Sequence, residues 1–190
     1  MKRILTAVCC IALATVPVLA QKTAKAKGAV EGKAKAMGMT DQQFVDFAAQ
    51  TDMVEANLGQ LAGNAADQQA VKDYGQMLAT DHTQDYQQLQ AAAQQANLTV
   101  PTAIDAEHNK KMVDPFQKLK GAAFDKKYAA EMVEGHAKAL EAFKKEAANA
   151  QNPSIKSYAE AALPVLEKHE AGAKDLMKTK GKASAATPAQ

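Results

Sequence analysis

Cysteine is nearly absent: Cys9 and Cys10 are the only two, and both fall inside an apolar run near the N-terminus. If that run is removed as a leader, the remaining protein has no thiol. Disulfides, a cysteine nucleophile and thiolate metal ligands are then all excluded, even in an oxidising compartment. Tryptophan is missing and aromatic residues make up only 5% of the chain. Strand-forming residues are sparse beside abundant Ala, Gln, Lys and Glu, a balance that favours helix. Serine is scarce as well, with only Ser154, Ser157 and Ser184. No nucleophile elbow, phosphate loop or dinucleotide fingerprint occurs, so hydrolytic and nucleotide chemistry find no support and an enzyme is not the expectation.

No apolar run is long enough to read as a stable membrane span. Met1-Lys2-Arg3 precedes the run from Ile4 to Ala20, which stops abruptly at Gln21 and Lys22. Two cations, a short apolar stretch and small residues at Val18-Leu19-Ala20 predict a cleaved signal peptide over 1–20 and export to the periplasm or beyond. The competing reading, an uncleaved anchor, needs a longer run.

Charge is distributed unevenly. Residues 22–39 hold five Lys against Glu31 alone, and residues 174–190 hold four Lys against Asp175. Residues 40–173 therefore keep 12 basic and 19 acidic side chains. An acidic body is not built to hold nucleic acid. The Lys/Ala/Gly-rich span 21–39 reads as a mobile linker and 179–190 as a disordered tail. Either basic segment could also make weak contact with an anionic envelope surface.

The span 40–178 carries helical periodicity. Thr40 with Gln43 forms a capping box, and the first stripe runs Phe44, Ala48, Thr51, Glu55, Leu58, Ala62 before Gly63-Asn64. Asp67 is placed to cap a second helix with His82 and Asp85 in its stripe, ending at Asn97 to Pro101. A third helix is expected from about Ala122 to Ala150, with Asp125, Met132 and His136 inward. Asn152-Pro153 starts a fourth, which contains Pro164, a kink site, and His169. Between the second and third lies a longer connection, Asn97 to Gly121, with a short helix of its own. The expected fold is an all-α, ferritin-like four-helix bundle with that crossover.

Each stripe holds one residue that packing alone would not select: Glu55, His82, His136 and His169, with Asp125 as a further acid. Burying such groups is costly unless they are paired or bound. Their presence on four helices predicts that they converge. Three imidazoles and a carboxylate suit zinc, copper or iron, with Asp81, Asp85 or Asp125 orienting an imidazole. The alternative is a buried His/acid network with no metal. Counted from the shared loops, Glu55 and His82 differ in height by roughly 7 Å, and His136 and His169 by roughly 4–5 Å. His108 is expected to be exposed, Met112 and Met132 to be core, and Glu131, Glu134, Glu141 and Glu146 to form a solvated face.

The segments F-V-x-x-A-A (Phe44 to Ala49), V-E-A-N-L-G (Val54 to Gly59), D-H-T (Asp81 to Thr83), F-D-K-K-Y (Phe124 to Tyr128), M-V-E-G-H (Met132 to His136) and L-P-V-L-E-K-H (Leu163 to His169) together resemble an exported bacterial family, the Domain of Unknown Function 4142 family. The resemblance covers about residues 40–178. It implies a ferritin-like bundle without an established activity, and it points to Glu55, Asp81, His82, Asp125, Tyr128, His136 and His169. Di-iron carboxylate proteins carry Glu-x-x-His on two helices. Here Ala79 and Leu166 stand three residues before His82 and His169, which argues against di-iron oxidase or iron-storage chemistry. Two functions remain: a periplasmic metal-binding protein, or a non-catalytic envelope or stress-associated module.

Overall fold

The computed structural model describes residues 38–183, and within them the chain is helical with no strand. The expected signal peptide and nearly all of the expected linker lie outside the described residues. No described helix is long and apolar enough to cross a membrane.

Four long helices carry the fold: α1 (Asp41–Ala65), α2 (Gln69–Ala96), α3 (Gly121–Asn149) and α4 (Pro153–Ala183). Local chemistry sets several of their ends. The Thr40 hydroxyl accepts the Gln43 amide at 3.2 Å while the Gln43 side chain accepts the Thr40 amide at 3.0 Å, completing the capping box. Gly63 and Asn64 lie inside the last turn of α1 rather than beyond it. Asn97 closes α2 at φ +55, a left-handed conformation that Asn tolerates better than most residues. Asn152 accepts the Ser154 amide at 2.9 Å in front of Pro153, the first residue of α4. Pro164 sits inside α4, which continues through it.

The start of α2 differs from expectation. Asp67 does not cap it: the N-cap position is Gln68, whose side chain makes no capping bond. The cap comes from another helix, since Asp125 of α3 accepts the amides of Asp67 and Gln68, both at 3.0 Å. A carboxylate at a helix N-terminus satisfies free amides and opposes the dipole.

The long connection holds one α-helical turn (Ala106–His108), a π-helical segment (Asn109–Val113) and a 3₁₀ turn (Asp114–Phe116). Asp105 accepts the His108 amide at 2.8 Å to start it.

The main packing is α1 along α2 and α3 along α4, with α2 against α4 and α1 against α3 joining the pairs. The α1–α2 pair approaches closely at two glycines. A Cβ on Gly59 would lie 2.4 Å from the Gly75 carbonyl oxygen, so no side chain fits there.

Two apolar clusters form the interior. One holds Leu58, Leu78, Phe116, Phe124, Tyr128 and Met132 among others. The other is built around Phe44, Leu89, Phe143, Ile155 and Tyr158, with Phe44 and Phe143 edge to face at 4.8 Å. On α2, α3 and α4 the polar candidate lies between the residues of one cluster and those of the other, and on α1 Glu55 follows Val54, the first residue of its cluster, so the polar groups form a layer across the interior.

Candidate metal centre

Each long helix contributes one of the expected side chains to this layer. Glu55 comes from α1, His82 from α2, His136 from α3 and His169 from α4; they are 3%, 2%, 0% and 1% exposed. The three imidazole centroids are 5.8, 5.2 and 5.3 Å apart. One ring nitrogen from each lies within 4.8 Å of the others. Glu55 Oε2 is 3.0 Å from His82 Nε2 and 3.1 Å from His136 Nε2. The convergence expected from the four stripes is therefore present.

The roughly 7 Å height mismatch between Glu55 and His82 does not materialise. Side chains lean toward the N-terminus of their own helix. In the antiparallel α1–α2 pair that lean carries Glu55 away from the connecting loop and His82 toward it, and α1 runs on to Ala65, past the Gly63-Asn64 pair from which the rises were counted; both reduce the difference.

The outer ring nitrogens are held by protein groups. His82 Nδ1 is 2.9 Å from Asp52 Oδ1, the His136 Nδ1–H donates to the Met132 carbonyl at 2.8 Å, and His169 Nε2 is 2.8 Å from Asp81 Oδ2. Since a carbonyl only accepts, the neutral His136 ring must carry its proton on Nδ1 and a lone pair on Nε2. On the inner side the pattern reverses. Glu55 Oε2, His82 Nε2, His136 Nε2 and His169 Nδ1 are all buried without a hydrogen-bond partner. The two short Glu55 contacts are close enough for hydrogen bonds but misaligned for them.

Proton affinities follow from burial and neighbours. Burial opposes a charge on His82, but Glu55 and Asp52 outweigh it and push the ring up to about 10. Burial alone would raise Glu55, yet the His136 and His82 imidazoles hold it below the ordinary range. Burial lowers His169 to about 4, with the Asp81 bond opposing only part of the effect. Asp52 is raised to about 7 by burial, in spite of His82 beside it.

The residues expected to support the imidazoles divide. Asp81 does so directly through His169. Asp85 accepts the Tyr158 hydroxyl at 2.7 Å, and its carboxyl is raised, first by burial. Asp125, expected beside an imidazole, is instead engaged at the start of α2. The Tyr128 hydroxyl is buried without a partner, its ring stacks on Phe124, and burial together with the Glu55 charge raises its proton affinity. His108 pairs with Asp105 in the connection, away from the layer.

Two supporting groups were missed in the sequence. Asp52 is buried where the stripe assigned Thr51, which is only half-buried. The available signal was its place one helical turn before Glu55, on the same face. The Met132 carbonyl sits four residues before His136 and leaves no trace in residue identity.

A family model described as "Domain of unknown function (DUF4142)" matches residues 16–176. No curated protein and no solved structure matches the chain.

Proposed function

The chain belongs to the DUF4142 family, which is defined without an activity, and from that premise we propose that it binds one transition-metal ion through His82, His136, His169 and Glu55. One observation carries this reading. Four helices each place a buried, unpartnered nitrogen or oxygen in one small region, while the opposite side of every imidazole is anchored. An anchored outer nitrogen and a free inner one is the arrangement that orients imidazole ligands on a metal.

The donor set fits an ion in chemistry and nearly in size. Three donors no more than 4.8 Å apart surround a point at most about 2.8 Å from each, against metal–nitrogen bonds of about 2.0–2.1 Å. Inward shifts of under about 1 Å would seat the ion. Imidazole and carboxylate together suit zinc, copper or iron, and the ion would supply Lewis-acid or redox character that the side chains lack.

The metal-free network is the competing reading, and the His82 environment favours it. A protonated His82 between Asp52 and Glu55 would itself provide the positive charge that the layer needs. The two readings part on uptake. Chelator-stripped full chain, titrated with zinc, cobalt(II), copper(II) or iron(II), should bind one ion per chain by elemental analysis. Free metal at 100 times Kd should add about 2.7 kcal/mol of stability. The double substitution His136→Ala, His169→Ala should abolish both effects. A wild-type chain that takes up none of these ions leaves the buried network as the function of the layer.

We also read the four long helices and the connection between the second and third as a ferritin-like arrangement, working in the periplasm after loss of the N-terminal segment. The Lys2-Arg3 pair ahead of the run from Ile4 to Ala20 supports export.

A further inference from the structure

A buried donor set requires a path for the ion, and one cavity among the described residues is placed to provide it. A small cavity of about 10 Å³ lies between α2 and α4, where Asp81, His82 and Asp85 face Val165, Leu166 and His169. That volume is about one water molecule. Two of its walls are the imidazoles of His82 and His169, which are almost fully buried and carry the unpartnered Nε2 and Nδ1. Its outer part is acidic and reaches solvent: the Asp81 side chain is 29% exposed and Val165 is 42% exposed. No lysine or arginine lines it. On the α3 side, by contrast, the backbone closes over the layer. A Cβ on Gly135 would stand 3.3 Å from Glu55 Oε1, so that helix lies directly against the carboxylate.

We propose that the α2–α4 cleft is the cation port of the metal centre, with Asp81 and Asp85 as the first carboxylates to draw a divalent ion toward His82 and His169. This rests on the metal-binding reading above. Asp81 then has two tasks, because the carboxylate that attracts the ion also orients the His169 ring. A dehydrating cation meets an anionic mouth first and fixed nitrogens second. Val165 is the apolar lip that limits the width of the passage.

The port makes kinetic claims that a structural role for these residues does not. Asp81→Asn, Asp85→Asn keeps an oxygen acceptor for His169 and for the Tyr158 hydroxyl while removing both charges. Cobalt(II) loading of the stripped full chain, followed by absorbance in stopped flow, should slow by about five- to tenfold at low ionic strength. The difference should shrink as salt rises, because screening weakens attraction at an exposed mouth. Val165→Trp, at a site exposed enough to accept the ring, should slow loading and chelator-driven release by about tenfold each, with Kd within about twofold of wild type. A barrier on the path changes both rates alike, whereas a lost ligand changes Kd. Both variants loading at the wild-type rate would overturn the port and leave the metal centre standing. A wild-type chain that takes up no cobalt would remove the centre, and the port with it.

Discussion

The two apolar clusters and the polar layer between them follow opposite rules. In the clusters, side chains such as Phe44, Leu58, Leu78 and Leu89 have 0% exposure and need only the right volume beside them. Each such burial contributes about 1.5–3 kcal/mol, whichever neighbour supplies the contact. In the layer, Asp52, Glu55, His82, His136 and His169 are as deeply buried, but each faces particular polar atoms of its neighbours. Stability is thus spread over the two ends of the bundle, while chemical specificity is concentrated at mid-height.

The sharpest way to break that contrast is to put a hydrophobe into the layer. His82→Leu keeps roughly the volume but leaves Asp52 and Glu55 buried without the ring that pairs them. Removing one partner of a buried pair costs about 3–5 kcal/mol. Combining it with Asp52→Leu and Glu55→Leu removes the stranded acids, so the triple variant should be more stable than the single one. Leu89→Met, in the apolar cluster, should cost less than about 1.5 kcal/mol. Denaturant midpoints of the metal-free chains check all three. A triple variant weaker than His82→Leu would show that the layer is held by something besides its charges.

A smaller effect is expected where the α1–α2 approach sets the geometry of the layer. Gly59 lies one turn beyond Glu55, and a Cβ there would meet the Gly75 carbonyl oxygen at 2.4 Å and the Ala79 amide nitrogen at 3.0 Å. Both are backbone atoms, so the helices themselves must separate. Gly59→Ala should cost about 1–3 kcal/mol, the usual range for overpacking. It should also weaken metal uptake by moving Glu55 away from His82. Loss of stability with unchanged affinity would mean that the layer adjusts independently of the crossing.

What the sequence made legible was local. The Thr40/Gln43 box, Asn97 and Asn152-Pro153 act within a few residues of the helix ends they set, so they could be read without a partner. Glu55, His82, His136 and His169 were legible because a polar side chain in an apolar stripe is conspicuous. Asp52 was hidden by a one-residue phase choice in favour of Thr51. Asp125 was recognised as an inward acid, but its target lies 57 and 58 residues away at the start of α2, and only tertiary packing reveals such a cap. The Glu55–His82 distance failed on height alone, since residue counting carries no information about the direction in which side chains lean.

Glu146 provides the finest test, because it repeats the problem of the layer without the imidazoles. It was expected on the solvated face of α3, yet it is 4% exposed, with Oε1 buried and unpartnered. Burial, and then the nearby Asp41 carboxylate, raise it to about 7. Asp41 itself is held in place by the amides of Gln151 and Asn152, at 3.0 and 2.7 Å. Between the ordinary carboxyl value of 4.5 and about 7 the folded chain keeps a proton on Glu146 that the unfolded chain has released. The folded state binds more protons in that window, so this group's contribution to stability falls as pH rises through it and is constant above. Glu146→Gln removes the titration. The stability of wild type minus that of Glu146→Gln should therefore decline from pH 4.5 to 7 by on the order of 1 kcal/mol, allowing for solvent screening near the end of α3. Thermal melts of both chains across that range measure it, and subtracting the variant cancels the Asp52 titration common to both. A difference that rises with pH would mean that an unseen cation, rather than Asp41 alone, faces the Glu146 carboxylate.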